Sequence, residues 1–166
     1  MLISISVTAS LAMKDARQQH VEALAQTAVA HAQQHFGVRL DGSDESIEAV
    51  ERILAETFEL VPHSRVARFF NRKPDFHDVA RIANMYGAYV GEVLRSRCGG
   101  EWIETDLCGC EHILVLRVSA DLTLMPTTKT WNRLTMGPSE NVVSFFRRTL
   151  ERNSNIRTAE PTASAS

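Results

Sequence analysis

A chain of 166 residues, 44% hydrophobic and 23% charged, has the make-up of one soluble globular domain and excludes a disordered or membrane-embedded polypeptide. Its formal net charge of -2 speaks against a nucleic-acid binder, which draws on clustered lysine and arginine. Three cysteines, Cys98, Cys108 and Cys110, are an odd and sparse set, fitting reduced thiols in a cytoplasmic protein better than a disulfide framework.

In chain order, MLISISVTASLA alternates Ile3, Ile5 and Val7 with Ser4 and Ser6, the period-two pattern of a short half-buried strand. A weak export signal is the competing reading, disfavoured because no basic residue precedes the apolar run and serines interrupt it. No apolar run reaches the ~18 residues of a membrane span. From Lys14 to Phe36, Val21, Leu24, Ala25, Ala28, Ala32 and Phe36 recur at three and four, which predicts an amphipathic helix ended by Gly37. LDGSDES supplies a turn and a second helix start, with Ser43 or Asp44 as cap. Ile47, Val50, Leu54, Phe58 and Val61 form that helix's apolar stripe, and Pro62 ends it.

A basic, aromatic connection leads to Pro74 and Asp75, which open a third helix carrying Phe76, Val79, Ile82, Ala83, Tyr86, Val90, Val93 and Leu94 up to Gly99 and Gly100. As the most apolar helix it is expected at the centre. The period then changes to two: EWIETDL, HILVLRVS and DLTLM read as an antiparallel three-stranded meander, its ILVL stretch buried on both faces. TTKTWNRLTMG reads as a short helix ended by Gly137, and Ser139 as the cap of a last helix with Val142, Phe145, Phe146 and Leu150 inward. The composition beyond Asn153 predicts disorder. The expectation is an α+β fold, with a helical N-terminal half, a three-stranded meander and two C-terminal helices, as one domain over 1–153 with a tail over 154–166.

Within the third helix, Ala83, Gly87 and Gly91 form a stripe of small residues. Each glycine costs about 1 kcal/mol relative to alanine in a helix interior. Asp78, Arg81, Glu92 and Arg95 exclude a membrane-dimer motif, so the stripe is read as a groove where another backbone approaches closely. Glu92 lies beside it and, if buried, needs a partner, for which Lys129 and Arg133 are the candidates.

Cys108, Cys110 and His112 form the nearest thing to a metal motif. Only one residue separates the cysteines, where a zinc knuckle needs two, and no metal or other cofactor is expected. His31 and His35 lie one turn apart and read as a solvated helix border. Glu104 and Asp106 share a strand face with Trp102, as in a carboxylate pair of a hydrolase or on the polar side of any edge strand. Arg65, Arg68, Arg72 and Lys73 around Phe69 and Phe70 have the mix used for single-stranded nucleic acid, a reading that the negative net charge opposes.

Taken together, LDGSDESIEAVERIL, IANMYGAYVGEVLRSRCGGEW and KTWNRLTMGPSENVVSFF resemble successive blocks of a widespread family of small bacterial domains of unknown function. The resemblance spans roughly residues 38–150 and singles out Gly87, Gly91, Glu92, Gly100, Trp102, Lys129, Arg133 and Gly137. The CGCE turn departs from the family pattern. The resemblance carries no known activity and implies a stand-alone cytoplasmic protein. Size and class add, by analogy, an immunity or adaptor protein whose partner is a protein such as a toxin or effector. The competing reading is a hydrolase or metal-dependent enzyme centred on Glu92, Glu104 and Asp106, with Cys108, Cys110 and His112.

Overall fold

The computed structural model describes the backbone of residues 2–60, 76–107 and 110–159 and the side chains of 12–60, 76–106 and 113–158. Its elements are α1 (Leu2–Phe36), α2 (Asp44–Leu60), α3 (Phe76–Cys98), β1 (Glu101–Leu107), β2 (Cys110–Ser119), β3 (Leu122–Leu124), α4 (Pro126–Met136), a 3-10 turn (Pro138–Glu140) and α5 (Val142–Ala159). The fold is α+β, with strand order β1-β2-β3 and both pairings antiparallel.

Local chemistry sets most of these boundaries. At the start of α2, Ser43 Oγ accepts from Ser46 N at 3.2 Å, and Ser46 Oγ donates to the Ser43 carbonyl at 2.7 Å. Ser43 is therefore the cap. Asp44 instead accepts from Arg97 at 2.6 Å and ties α2 to the end of α3. Between α3 and β1 the chain reverses through Gly100, whose φ of 106° suits glycine. A Cβ there would also stand 2.6 Å from the Arg117 carbonyl on β2.

One hydrophobic core joins all five helices and the sheet, through Val21, Ile47, Tyr86, Trp102, Leu116, Leu122, Leu134 and Phe146 among others. α3 is its axis, packing against α1, α4 and α5. Its residues from Met85 to Gly91 are all buried, so it is enclosed on every side along that stretch. Across the sheet, Trp102 pairs with Leu116 and Leu116 with Leu124, and this row of three buried side chains forms the sheet's core face. In the ILVL stretch Val115 and Leu116 are both fully buried on opposite faces, while Ile113 and Leu114 are only half-buried.

The small-residue stripe on α3 is where two elements approach. A Cβ at Gly87 would lie 2.5 Å from the Thr127 Cα, in the first turn of α4. At Gly91 it would lie 2.4 Å from the Trp102 ring. Thr130 Oγ1, one turn further along α4, donates to the Ala83 carbonyl at 2.7 Å. Each member of the stripe thus carries a separate contact.

Four sequence expectations are corrected. The opening residues are helical: α1 runs unbroken from Leu2, because a five-residue alternation gains nothing as a strand without a neighbour to pair with, whereas a helix satisfies its own backbone. Phe76 is 69% exposed instead of buried, and lies edge-on to Trp131 with ring centroids 5.0 Å apart. Ser139 lies in the 3-10 turn, and the cap of α5 is Asn141, whose Oδ1 accepts from Ser144 N at 2.8 Å. The chain stays helical past Asn153 to Ala159, with Asn153 buried and Ile156 packed on the core, so part of the expected tail belongs to the fold. The basic stretch from Arg65 to Lys73 lies outside the described residues.

Gly87→Ala and Gly91→Ala are each expected to destabilise the protein by about 1–3 kcal/mol through overpacking, against the ~1 kcal/mol that alanine gains in a helix. Urea unfolding of both variants checks this. A gain in stability for either one would contradict the close approach.

Candidate functional site

Of the residues that the sequence marked, Glu92 and Trp102 share one polar node and Arg133 enters a second. In the first, Glu92 on α3 accepts from Trp102 Nε1 at 2.6 Å, from Arg95 Nε at 3.0 Å and Nη2 at 3.0 Å, and from Gln18 Nε2 of α1 at 3.1 Å. Glu92 and Arg95 stand one helical turn apart, a spacing that lets the guanidinium fork grip the carboxylate. The hydrogen bonds that Arg95 donates to the carboxylate hold its pKa above the usual value. One carboxylate therefore joins α1, α3 and β1.

Lys129 and Arg133, the expected partners of Glu92, are elsewhere. The face of α4 that meets α3 is given to Thr127 and Thr130, so the neighbouring positions turn aside. Lys129 donates to Glu140 of the 3-10 turn at 2.7 Å, and this lysine lowers the Glu140 pKa. Arg133 enters the second node. There its Nε donates to Glu51 Oε1 on α2 at 2.6 Å, with side chains only 4% and 14% exposed. Glu51 Oε2 accepts from Val142 N at 2.7 Å, so a residue of α2 satisfies a free amide at the start of α5. The Arg133 guanidinium lies 5.7 Å over the Phe58 ring, and Gly137, at φ 93°, leaves room for that same ring. Arg133 Nη1 has no hydrogen-bond partner among the described residues.

Two tyrosines of α3 hold smaller nodes. The Tyr89 hydroxyl accepts from Gly42 N at 2.8 Å and lies 2.7 Å from Ser46 Oγ, which fixes the turn before α2. Burial raises the pKa of both Tyr86 and Tyr89. Tyr86 OH lies 3.0 Å from His31 Nδ1, and the His31 and His35 rings are 4.5 Å apart. This engages one nitrogen of His31 inside the fold. Burial, then the neighbouring His35 and Arg81, hold the His31 pKa below its usual value.

Glu104 and Asp106 are exposed on β1. No group of three or more metal-ligating side chains occurs among the described residues. The side chains of Cys108, Cys110 and His112 lie outside them. Cys98 is buried, and burial raises its thiol pKa. No helix of the described residues is long and apolar enough to cross a membrane.

Sequence reading missed Glu51, Gln18 and Ser46. Glu51 sits among the glutamates of α2 with nothing local to distinguish it, because its partners are 82 and 91 positions away. Arg95 was missed as a partner too, although its place three residues after Glu92 on the same helix face was a local signal for it.

Compared with known protein families, curated proteins and solved structures, the chain gives no significant match.

Glu51→Leu is expected to cost about 3–5 kcal/mol because it strands a buried guanidinium, and Glu51→Leu with Arg133→Met to recover most of that loss. Chemical denaturation of the three variants checks it, and a single-variant cost below about 1 kcal/mol would contradict the node. For His31, the unfolded chain takes up a proton at higher pH than the folded one, so its contribution falls as pH drops below 6.5. An imidazole NMR titration is expected to give a midpoint below 6.5, and His31→Gln to flatten the stability loss just under that pH. A midpoint above 6.5 would contradict the burial.

Proposed function

We propose that this chain is a non-enzymatic protein-binding module of the immunity or adaptor type, working in the cytoplasm on a protein partner such as a toxin or effector. The observation that carries the reading is that Glu92 and Arg133, two of the polar residues marked in the sequence, are committed inward. Glu92 is held by Trp102, Arg95 and Gln18, and Arg133 by Glu51. Such residues build a rigid frame, and a rigid frame that presents a surface is what a binding module needs.

That surface carries large apolar side chains. Phe76, Met136, Met13 and Leu60 are each more than half exposed. Phe76 and the half-buried Trp131 form an aromatic pair of the kind that anchors protein interfaces. The hydrolase reading requires Glu92 to be open to a substrate, and its two oxygens are already engaged by three donors from three elements.

Affinity capture of the tagged protein after cross-linking in the organism that encodes it is expected to recover one other protein at near-equal amount. Recovery of the chain alone, with no toxin-like gene beside its own, would contradict the reading.

A further inference from the structure

A groove of about 370 Å³ lies between β3, α4 and α5. Leu122, Thr123 and Leu124 all line it, although Thr123 points to the opposite sheet face from the two leucines. A groove bordered by both faces of a strand lies along that strand's edge. β3 is the terminal strand of the sheet, and among the described residues its backbone has no strand partner beyond β2. The free edge therefore stands beside two helices, the arrangement in which an extended peptide adds to a sheet.

The groove's charge selects the peptide. Lys129, Arg148 and Arg152 line it. Lys129 is paired with Glu140, but Arg148 and Arg152 are exposed, one turn apart on α5, and among the described residues donate to the carbonyls of Ser144 and Asp121. Neither arginine forms an ion pair among the described residues, and Arg148 acts on Glu140 only at longer range than Lys129 does. At the other sheet edge β1 carries Glu101, Glu104 and Asp106, and Glu101 is held there by Lys14 and Arg117.

We propose that the free edge of β3 is the docking site for the protein partner, which supplies an acidic, extended segment as a fourth strand. This rests on the protein-binding reading and adds its site and the partner's chemistry. Main-chain hydrogen bonds to β3 hold the segment in register. Its side chains meet the exposed Thr123 and Met125 and the half-buried Phe145, while carboxylates meet Arg148 and Arg152.

The test uses a fluorescein-labelled peptide of about ten residues alternating glutamate and valine, with a lysine-valine peptide as control. The acidic peptide is expected to bind in a salt-dependent way and to shift amide signals along 122–125, α4 and α5. Arg148→Glu with Arg152→Glu, both on the surface of α5, is expected to weaken it by about tenfold or more. N-methylation of alternate backbone nitrogens is expected to weaken it similarly, which simple charge attraction does not predict. Equal binding of the basic peptide, insensitivity to the double variant or to N-methylation, or amide shifts elsewhere would each overturn the proposal. So would self-association of the chain that the double variant abolishes, which would assign the groove to a second copy. In the cell, equal capture of one partner by wild type and double variant overturns the groove while the protein-binding reading stands. No partner with either overturns that reading and the groove with it.

Discussion

The indole of Trp102, seated in the notch left by Gly91 and hydrogen-bonded to Glu92, is the contact on which the architecture turns. It fastens the sheet to the central helix. An aromatic side chain of this kind removes roughly 200 Å² from water, worth on the order of 5 kcal/mol by area, against about 1–3 kcal/mol for a hydrogen bond to a charged group. Burial therefore supplies most of the energy. The carboxylate supplies direction, because Trp102 must place its one polar atom at Glu92, and Glu92 is held in turn by Arg95 and Gln18.

Two consequences follow from a helix enclosed along its middle. Polar groups on α3 and its neighbours have to be satisfied from other elements, and Glu92, Tyr86 and Tyr89 are each met by a residue of α1, of β1, or of the turn and first residues around α2. The Glu51 and Arg133 node does the same between α2, α4 and α5. These nodes set the relative placement of the helices more than they add net stability, since buried ion pairs return little over their desolvation cost. What the frame then exposes, among the described residues, is the edge of β3 beside the exposed Arg148 and Arg152.

Much of this order is legible in the sequence because its signals are local. The 3.6-residue stripe of α2, the Ser43 cap, the glycine pair before β1 and the period-two strands depend on neighbours within a few positions. The small-residue stripe of α3 was readable as a close approach, but not the identity of what approaches. The failures share a different cause. Ile3, Ile5 and Val7 carry strand periodicity, yet pairing is decided by a partner strand that the chain does not place there. Glu92 was matched to Lys129 and Arg133 on charge alone, whereas Trp102, an uncharged donor ten residues away, is its shortest contact. Glu51 gave no signal at all. Helix continuation past Asn153 was hidden by polar composition, because among the described residues of that stretch Asn153 and Ile156 alone are buried or packed on the core.

The most direct test of the Trp102 anchor is a double-mutant cycle of Trp102→Phe and Glu92→Gln, read by urea unfolding. If the indole and the carboxylate fix the sheet on α3 together, the cycle gives a coupling energy of about 1–3 kcal/mol. Losses that add within about 0.5 kcal/mol would contradict the account.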